Sequence, residues 1–444
     1  MSTVIFWFRN DLRLMDNPAL THACRVATQL VPVYVHDPQS DAVTRWGFPR
    51  TGPHRRHFLA SGLADLSDQL SAKGSRLLEL VGKPHDVLAA LARSISASDV
   101  VCEEIAAPEE EAAVTALRGA GLSVDTVWQS SMLDPAVLPF NPSALPDVFT
   151  TFRQIVERAK IVAEMPRMAP VSVPGPRPLH GLKNATGTDA PADAAASAKV
   201  QLRVGVPDLR SSFPYHASDF GGGEAAALAH LGRYFGSNLV NTYKVTRNGL
   251  SGIDYSSKFS PWLASGALSA RTVYAALKHF EVQDGANDGT YWLWFELLWR
   301  DYFRLLHLKY GPRLYSERGL APKHLPLPLT THKAGVFKRW CQGETGEPLV
   351  DAGMRELAGT GYLSNRLRQV AASFLIHDLA CDWRTGAAWF ESQLIDYDVY
   401  SNQGNWLYIA GRGTDPRGGR RFNPQKQARD YDPDSKYRQL WSAP

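Results

Sequence analysis

The chain has 444 residues, of which 44% are hydrophobic and 21% are charged, so it is globular and long enough for two domains. Its formal net charge of +4 permits a polyanionic partner without requiring one. The four cysteines are far apart and form no CxxC pair, so neither a zinc site nor a disulfide framework is indicated, and we expect no metal. The N-terminal apolar run is too short for a signal peptide, and no stretch reaches the ~20 apolar residues of a membrane span, so we expect a cytoplasmic protein.

The first 130 residues alternate short apolar runs with helical patterns, which is typical of a parallel sheet covered by helices. The candidate strands are VIFWF, LVPVYVHD, RLLELVG, DVVCEEI and LSVDTVW. Between the second and third strands, Phe58, Leu63, Leu66 and Leu70 recur at helical spacing. Neither GxGxxG nor a GxxxxGKS-type loop follows the first strand. We therefore predict a five-stranded parallel, Rossmann-like α/β domain over residues 1–130 that lacks the usual phosphate loops.

The composition changes after this domain. Residues 131–222 include PVSVPGPRPL and TGTDAPADAAASAK, which are rich in proline, alanine and small polar residues and indicate a long, partly flexible interdomain linker. From residue 223 to residue 444 the sequence is a succession of amphipathic helical patterns with few strand signals. The predicted fold class is therefore α/β plus all-α, with the all-helical domain at the C-terminal end.

Four polar residues precede Pro261 in the sequence DYSSKFSP. They are Ser256, Ser257, Lys258 and Ser260. A serine followed by a proline marks the start of a helix, where free N–H groups, hydroxyls and a lysine form an anion site suited to a pyrophosphate. Taken alone, the stretch is more often a capped helix with a solvated lysine.

The helix YWLWFELLWRDYFRLL, residues 291–306, is apolar yet contains several charges. At 3.6 residues per turn, one face contains Trp292, Glu296, Trp299, Arg300 and Phe303. One interpretation is a core helix in which Glu296 and Arg300 neutralise each other. The other is a wall against which a planar, polar ligand lies, because charges taken out of water need further hydrogen bonds.

A third group of polar residues lies nearer the C-terminus. One helix opens with Asn365, Arg366, Arg368 and Gln369, and a later segment places Asp396 and Asp398 just before Asn402 and Trp406. From Gly411 onward there are eight Lys and Arg against four Asp. Such charge runs are usually solvated faces, so they support phosphate contact only weakly.

These segments together resemble the photolyase and cryptochrome family over nearly the whole chain, from FWFRNDLRLMDNPAL to GTDPRGGRRFNP. The stretches TRNGLSGIDYSSKFSPWLASGALS, FELLWRDYFR and NWLYIAG are most similar to its DASH cryptochrome branch. The resemblance implies an α/β antenna domain, a helical domain around a U-shaped FAD, and blue-light-driven repair of cyclobutane pyrimidine dimers. It further implies that the protein is a carbon–carbon lyase that acts on DNA. We expect the protein to be a monomer.

The resemblance also assigns individual residues. FAD would be contacted by Tyr243, Ser256, Ser257, Lys258, Phe259, Ser260, Arg300, Arg368, Asp396 and Asp398, with Asn402 facing the flavin N5. A lesion cavity would be lined by Glu296, Trp299, Asn365, Gln369 and Tyr408, with Glu296 hydrogen-bonded to a thymine edge. Arg247, Arg366, Arg420 and Arg421 are candidates for holding DNA phosphates.

Two departures from the family pattern concern the lesion cavity. Tyr408 stands where ordinary dimer photolyases have a second tryptophan, and Gln369 stands where they have a methionine. Both changes weaken stacking on a flipped dimer, and stacking is worth ~1–3 kcal/mol per base. We therefore predict a preference for single-stranded DNA, from which a dimer is extruded at lower cost.

Another departure concerns flavin photoreduction, for which the family uses three tryptophans. Trp406 and Trp383 match the inner two, although plain core packing would also explain them. The outer one has no counterpart, because residues 320–339 contain no aromatic residue before Phe337. We expect a detour that ends at Trp340 or Tyr362.

The antenna and the biological role are left open by the sequence. DASH relatives often bind methenyltetrahydrofolate through a glutamate after the fourth strand, where Glu104 is the best match and Glu103 is adjacent. The alternatives to a lyase are a blue-light sensor without turnover and a light-independent nucleotide-binding protein. The sequence continues for only 20 residues beyond RRFNP, whereas sensors commonly have long extensions, which favours the lyase.

Overall fold

The N-terminal part of the computed structural model, which describes residues 2–175, 207–322 and 334–443, contains a five-stranded parallel sheet. Its strands are β1 (Thr3–Phe8), β2 (Gln29–His36), β3 (Leu78–Val81), β4 (Asp99–Glu103) and β5 (Ser123–Val127). Their order across the sheet is β3-β2-β1-β4-β5, and every neighbouring pair is parallel. The predicted five-stranded parallel sheet is confirmed.

Helices cover this sheet and form nearly all regular structure after it. In the N-terminal part they are α1 (Pro18–Val26), α2 (Pro53–Ala72), α3 (Pro84–Ile95), α4 (Pro108–Gly119) and α5 (Phe149–Arg158). They continue as α6 (Glu224–Gly236), α7 (Tyr243–Thr246), α8 (Ser260–Ser265), α9 (Ala270–Asp284), α10 (Asp288–Tyr310) and α11 (Ala334–Gln342). The last are α12 (Pro348–Thr360), α13 (Asn365–His377), α14 (Trp383–Gln393), α15 (Val399–Ala410), α16 (Pro424–Tyr431) and α17 (Lys436–Leu440). The predicted α/β plus all-α class is confirmed.

The central strand β1 is apolar on both sides because both faces of the sheet are covered. Phe6 and Phe8 belong to a core with Leu66 of α2, whereas Ile5 packs with Leu88 of α3 on the opposite face. Successive side chains of a strand point to opposite faces, so a continuous apolar run is the pattern of a strand with helices on both sides.

The order of the sheet reverses between β1 and β4, the position at which open α/β sheets usually bind ligands. Here the helical part of the chain covers that crevice. The Leu12 N–H donates to Ser265 O at 3.2 Å, and Arg13 donates to Gly266 O at 2.8 Å. Gly266 has φ +74°, and a Cβ there would lie 1.9 Å from the carbonyl oxygen of Asn10. This close approach of two backbones requires glycine.

A buried ion pair also joins the two parts. Asp16, which is 0% exposed, lies after β1 and accepts two-pronged hydrogen bonds from Arg271 of α9, the closest at 3.0 Å. The same carboxylate accepts from the Ser269 hydroxyl at 2.5 Å and from the Arg167 N–H at 3.0 Å. Because every oxygen is satisfied, the charge is tolerated away from water.

The predicted linker contains ordered structure in the part that the model describes. Helix α5 lies within it and buries Phe149, Phe152 and Val156 in the core of the helical part. The stretch TGTDAPADAAASAK lies outside the described residues. The domain boundaries at residues 130 and 222 stay a prediction. Among the described helices, none combines the length and hydropathy that crossing a bilayer requires.

Replacing Arg271 by leucine is expected to lower the free energy of unfolding by about 3–5 kcal/mol, because Asp16 would be left as an uncompensated buried charge. Lys278→Ala is the matched control, since Lys278 forms an exposed pair with Glu281 on the same helix and should cost less than about 1 kcal/mol. Urea denaturation followed by circular dichroism measures both. Equal losses in the two variants would contradict the role of the buried pair.

Candidate functional site

The turn before α8 has an unusual backbone and a buried lysine. Ser256 and Lys258 have φ values of +59° and +58°, a region that residues other than glycine rarely adopt. The helix begins at Ser260, one residue before the Pro261 start that the Ser-Pro pattern predicts, so Phe259 occupies the cap position and no side chain caps the helix. Since α8 has only six residues, its dipole adds little, and an anion site here depends on the side chains.

Lys258 is not the solvated lysine of the commoner interpretation. It is 2% exposed, and its Nζ has no hydrogen-bond partner within the described part of the chain. The Nζ lies 3.2 Å from the ring centroid of Tyr255 and 4.9 Å from that of Tyr362. Burial lowers the pKa of Lys258 well below its ordinary value. A buried amine that faces aromatic rings has unused capacity to bind an anion.

The charges of α10 find partners on several other segments. Glu296 pairs with Arg247, which follows α7 and stacks 4.4 Å over Trp292. Arg300 instead donates to the backbone oxygens of Ser130 and Leu263, the latter at 2.9 Å. The Glu296–Arg300 neutralisation considered from the sequence is therefore wrong, because both side chains reach partners on other segments. Burial raises the pKa of Glu296, and Arg247 opposes that rise.

The next turn of α10 binds the N-terminal part and the segment before α15. Asp301 accepts the backbone N–H groups of Met132 and Leu133 at 2.8 Å each. Arg304, which is 2% exposed, pairs with Asp398 at 2.5 Å. Burial raises the pKa of Asp398, but Arg304 and Arg300 outweigh it and hold that pKa at about 2. Asp398 is thus an ionised carboxylate in the interior.

A cavity of about 510 Å³ lies between α13, α14 and α15. It brings together seven residues that the sequence analysis singled out, namely Asn365, Arg368, Gln369, Asp396, Asp398, Asn402 and Trp406. Arg368 pairs with Asp396 at 2.8 Å, yet the Oδ1 of Asp396 is buried without a partner in the described residues. The Asn402 amide donates to Ala387 O at 3.1 Å, which fixes its orientation. The residues that line the cavity therefore include one buried acceptor without a partner and one neutral amide.

Trp299 and Tyr408 form a neighbouring aromatic wall. Their ring centroids are 6.2 Å apart at an interplanar angle of 74°. Phe149 stacks on Trp299 at 3.7 Å and 12°, so one face of that indole is already covered. Arg420 lies 4.8 Å over the Tyr408 ring and pairs with Asp415 at 2.9 Å. Trp299 thus has at most one face left for a further planar group.

The remaining arginine candidates also have protein partners. Arg366 donates to Asn248 at 3.0 Å and lies 4.8 Å over the Tyr431 ring, while its Nε is buried without a partner in the described chain. Arg421 pairs with Asp378 at 2.7 Å, and its side chain is 67% exposed. A phosphate would have to compete with these contacts, and it does so most easily at Arg421.

The two tryptophans expected to carry an electron lie in one apolar core. Trp406 is buried against Phe390, with ring centroids 5.1 Å apart, and Phe390 is 6.0 Å from Trp340. Trp383 donates to Glu317 O at 3.1 Å. Of the proposed end points, Trp340 is 0% exposed and Tyr362 lies beside Lys258, so both are buried. Residues 323–333, where an outer tryptophan was sought, lie outside the described residues.

At the end of β4, the two adjacent glutamates point to different surroundings. Glu103 is 1% exposed and lines a cavity of about 350 Å³ together with Arg13, Gln129 and Arg300. Its Oε2 has no partner within the described chain, and burial raises its pKa to about 8. Glu104 is half-buried, and burial also raises its pKa. Glu103 therefore faces the cleft between the two parts, and the folate contact expected of Glu104 stays a prediction.

One group of site residues was missed because its members are far apart in sequence. Glu356 of α12 is 0% exposed and accepts from the Ser212 hydroxyl at 3.0 Å and from the Tyr437 hydroxyl at 2.5 Å. Its charge acts on Lys258. An isolated glutamate in the helical pattern MRELAG gave no signal of this role.

The side chains present fit FAD. Its diphosphate needs cations or donors, and Lys258 Nζ and the Tyr255 hydroxyl are both buried without partners among the described residues. Its flavin ring offers an imide N–H donor, and Asp396 Oδ1 is a buried acceptor without a partner. Unpaired buried polar atoms are rare in native proteins, and those at ligand sites are paired by the ligand. Lys258, Tyr255, Arg368, Asp396 and Asn402 are the residues that would hold it. The roles carried over to Tyr243, Ser257, Phe259 and Ser260 stay predictions.

Comparison with known proteins gives the same family throughout. The family described as "FAD binding domain of DNA photolyase" matches residues 292–443, and that described as "DNA photolyase" matches residues 4–171. Relatives include Cryptochrome DASH of Xenopus laevis, 45% identical over 99% of this chain and 82% of the relative. Cryptochrome DASH of Synechocystis is 42% identical over 99% of this chain and 87% of the relative.

Solved structures agree with the sequences. The structure of a Synechocystis cryptochrome can be superposed on this chain with a TM-score of 0.90 and 41% sequence identity. The alignment covers 99% of this chain and 88% of the cryptochrome chain. The structure of a class III photolyase of Agrobacterium tumefaciens aligns with 99% of this chain and 86% of the photolyase chain, with a TM-score of 0.78 and 28% sequence identity. With this similarity over its full length, the chain belongs to the photolyase and cryptochrome family, in its DASH cryptochrome branch.

Proposed function

We propose that the protein repairs cyclobutane pyrimidine dimers in DNA under blue light, with a preference for single strands. The observation that carries this proposal is the cavity lined by Asn402 and by Asp396, whose Oδ1 lacks a partner in the described residues and suits a flavin donor, together with an aromatic wall in which Phe149 covers one face of Trp299. These residues would hold FAD, which would supply, on excitation of its reduced form, the electron that opens the cyclobutane ring and afterwards returns. Membership of the family supports the light-dependent chemistry.

In this proposal the residues of the chain bind the cofactor, orient it and insulate it. Asp396, fixed by Arg368, would accept a hydrogen bond from the flavin ring, and the neutral Asn402 amide would add no negative charge to the site. Asp398 is neutralised by Arg304, so no unpaired charge disturbs that side of the cavity. Preorganised partners of this kind need no rearrangement when charge develops during the reaction.

On the substrate side, Glu296 hydrogen-bonds a thymine edge, and Trp299 stacks on a base through its uncovered face. Asn365 and Gln369 supply amide groups at the rim. Arg247, Arg366, Arg420 and Arg421 hold backbone phosphates, with Arg421 the most exposed. Phosphate contacts of this kind position DNA without reading its sequence.

The preference for single strands follows from the small stacking surface. Phe149 covers one face of Trp299, and Tyr408 meets Trp299 edge-on, so the flipped bases gain little stacking. Each base that lacks an aromatic stacking partner forgoes ~1–3 kcal/mol of binding free energy. Extruding a dimer from intact duplex costs a few kcal/mol, whereas a single strand spares most of that cost.

Photoreduction is proposed to run through Trp406 and then by a detour. Phe390 lies between Trp406 and Trp340 with centroid separations of 5.1 and 6.0 Å, so these rings form one continuous packed row. Trp383 remains a member of the inner chain in this proposal. Tyr362 is the other proposed end point.

The antenna, the compartment and the oligomeric state remain proposals as well. Methenyltetrahydrofolate is proposed to bind between the two parts at Glu104, with Glu103 as the neighbour that faces the cleft. We propose a cytoplasmic monomer. A blue-light photoreceptor with little or no repair is the alternative function, because relatives of this branch are named cryptochromes.

Repair is expected to be about tenfold faster on a dimer in a single-stranded oligonucleotide than on the same dimer in duplex, since a tenfold difference corresponds to only about 1.4 kcal/mol of extrusion cost. Repair is measured by chromatography of the oligonucleotide after one light dose and after an equal time in darkness. Equal turnover on both substrates would contradict the strand preference.

Glu296→Gln is expected to lower single-strand repair about tenfold or more, because a carboxyl group at the lesion is lost. Glu281→Gln, on α9 and paired with Lys278, is the matched control and should keep the parent rate. No repair in the light by the unmodified protein would overturn the proposed function and favour the photoreceptor.

Trp406→Phe is expected to slow photoreduction of the bound flavin at least about tenfold, since phenylalanine is much harder to oxidise and Trp406 lines the cavity. Flavin absorbance under blue light with a thiol reductant measures the rate. Trp294→Phe, in the partly exposed aromatic group near Tyr291, serves as control. An unchanged rate in Trp406→Phe would rule out this route.

For the antenna, we expect a separate absorbance band from the folate in purified protein. Glu104→Gln should remove that band while the flavin bands persist, because a pterin ring needs a carboxylate acceptor for its donors. Glu103→Gln, at the adjacent glutamate, is the matched comparison variant. If Glu103→Gln alone removes the band, the carboxylate that faces the cleft is the ligand, and Glu104 is not.

A further inference from the structure

Phe149 is a buried ring that backs the aromatic wall of Trp299 and Tyr408. It is the first residue of α5 and is 5% exposed. Its ring stacks on the Trp299 indole, with centroids 3.7 Å apart and planes 12° apart. Phe295 and Tyr302, on the turns of α10 before and after Trp299, meet the Phe149 ring edge-on at 5.1 and 5.5 Å. Phe149 is therefore enclosed by three rings of α10.

We propose that Phe149 is a positioning residue for the substrate: it fixes the plane of Trp299, so that a base of the pyrimidine dimer stacks on the face of the indole that Phe149 does not cover. This inference rests on the proposed function, because it places the dimer at Trp299. It assigns a role in substrate recognition to α5, a helix within the predicted interdomain linker.

The other rings around Trp299 do not lie parallel to it. Tyr302 and Tyr408 meet the indole at 84° and 74°, with centroids 5.7 and 6.2 Å away. Phe303 lies 5.6 Å away at 39°. Stacked and edge-on contacts are the favourable arrangements of aromatic pairs, so this set of neighbours fixes the tilt of the indole. A base that stacks on a fixed ring orders fewer groups on binding than one that stacks on a mobile ring.

Hydrogen bonds attach the segment before α5 to α10. The Tyr302 hydroxyl donates to Asp147 O at 2.6 Å. Lys309 donates to Leu145 O at 2.7 Å and to the Asp147 carboxylate at 2.6 Å. Phe149 follows Asp147 by two residues. The helix that contains Trp299 therefore also determines where the Phe149 ring lies.

The other end of α5 is attached to α10 as well. Tyr291 donates to Glu157 at 2.8 Å and accepts a hydrogen bond from Arg153 at 2.9 Å. Arg153 also pairs with Glu157 at 2.7 Å. Because both ends of α5 are bonded to α10, the position of α5 relative to Trp299 is fixed.

Plain core packing is the alternative interpretation of Phe149, and Phe152 provides the matched comparison. Phe152 lies on the same helix, is 0% exposed and stacks on Tyr302 at 5.5 Å and 29°. Its ring contacts in the described part of the chain are with Phe140, Phe149 and Tyr302. Replacing either phenylalanine by leucine removes a buried ring from the same core, but only the change at Phe149 uncovers Trp299.

The experiment measures, in darkness, how the FAD-loaded protein binds a short single-stranded oligonucleotide with one pyrimidine dimer and the same oligonucleotide without it. Anisotropy of a fluorescent end label gives both Kd values, and the discrimination ratio is the Kd of the undamaged strand divided by that of the dimer strand. Phe149→Leu is expected to lower this ratio about fivefold, the size of one aromatic pair. Phe149→Tyr keeps a flat ring and should stay within about twofold of the parent. Phe152→Leu should keep the parent ratio even if its Tm falls.

A double-mutant cycle tests whether Phe149 acts through Trp299. In a Trp299→Leu background, adding Phe149→Leu should leave the ratio unchanged, because the ring that Phe149 positions is already absent. A parent-like ratio in Phe149→Leu, equal losses in Phe149→Leu and Phe152→Leu, or additive losses in the cycle would overturn the inference. If Phe149→Leu does not fold, Phe149→Met, which fills the space with a flexible chain, replaces it in each comparison.

The ratio of the parent protein separates this inference from the proposed function. A parent that binds both strands equally contradicts recognition of the dimer, and the inference falls with it. A parent that prefers the dimer strand, together with an unchanged ratio in Phe149→Leu, contradicts the role of Phe149 alone.

Discussion

The need to pair charges that are removed from water organises this structure, and helix α10 is where it acts most strongly. Four of its charged side chains reach four different segments: Glu296 reaches Arg247, Arg300 reaches backbone oxygens, Asp301 reaches backbone N–H groups, and Arg304 reaches Asp398. Each isolated buried charge would cost several kcal/mol. The helix therefore fixes the N-terminal part, the aromatic wall and the segment before α15 in one arrangement.

The same constraint explains the chemistry available at the cavity. Arg304 neutralises Asp398, and Arg368 neutralises only one oxygen of Asp396, so a single acceptor remains free. Lys258 is the complementary case, a buried cation whose nearest contacts are aromatic rings. A ligand that brings both a donor and an anion completes the set, and a dinucleotide with a diphosphate has both. At the sheet's switch point, by contrast, hydrogen bonds join the two parts of the chain directly.

Sequence patterns predicted the positions of strands and helices well, but they predicted the partners of charged side chains poorly. Apolar runs predicted all five strands, and the Ser-Pro pattern predicted the start of α8 to within one residue, because both signals are local properties of the sequence. The Glu296–Arg300 pair, one of two interpretations of the sequence, does not form. Each of these side chains binds a group from another segment, and no sequence signal indicates such contacts. Glu103 and Glu104 are adjacent in sequence, yet only the pleat of the strand end decides which one faces the cleft.

The sequence by itself determined the class of each half, the family and the residue types at the cofactor site, because these depend on periodicity and on motifs that are contiguous in the chain. Only the tertiary structure decided that Lys258 is buried, that Glu356, Ser212 and Tyr437 meet, and that Phe149 covers one face of Trp299. Those contacts join residues that are far apart in sequence, and their energies depend on distance and burial, which arise only when the chain has folded.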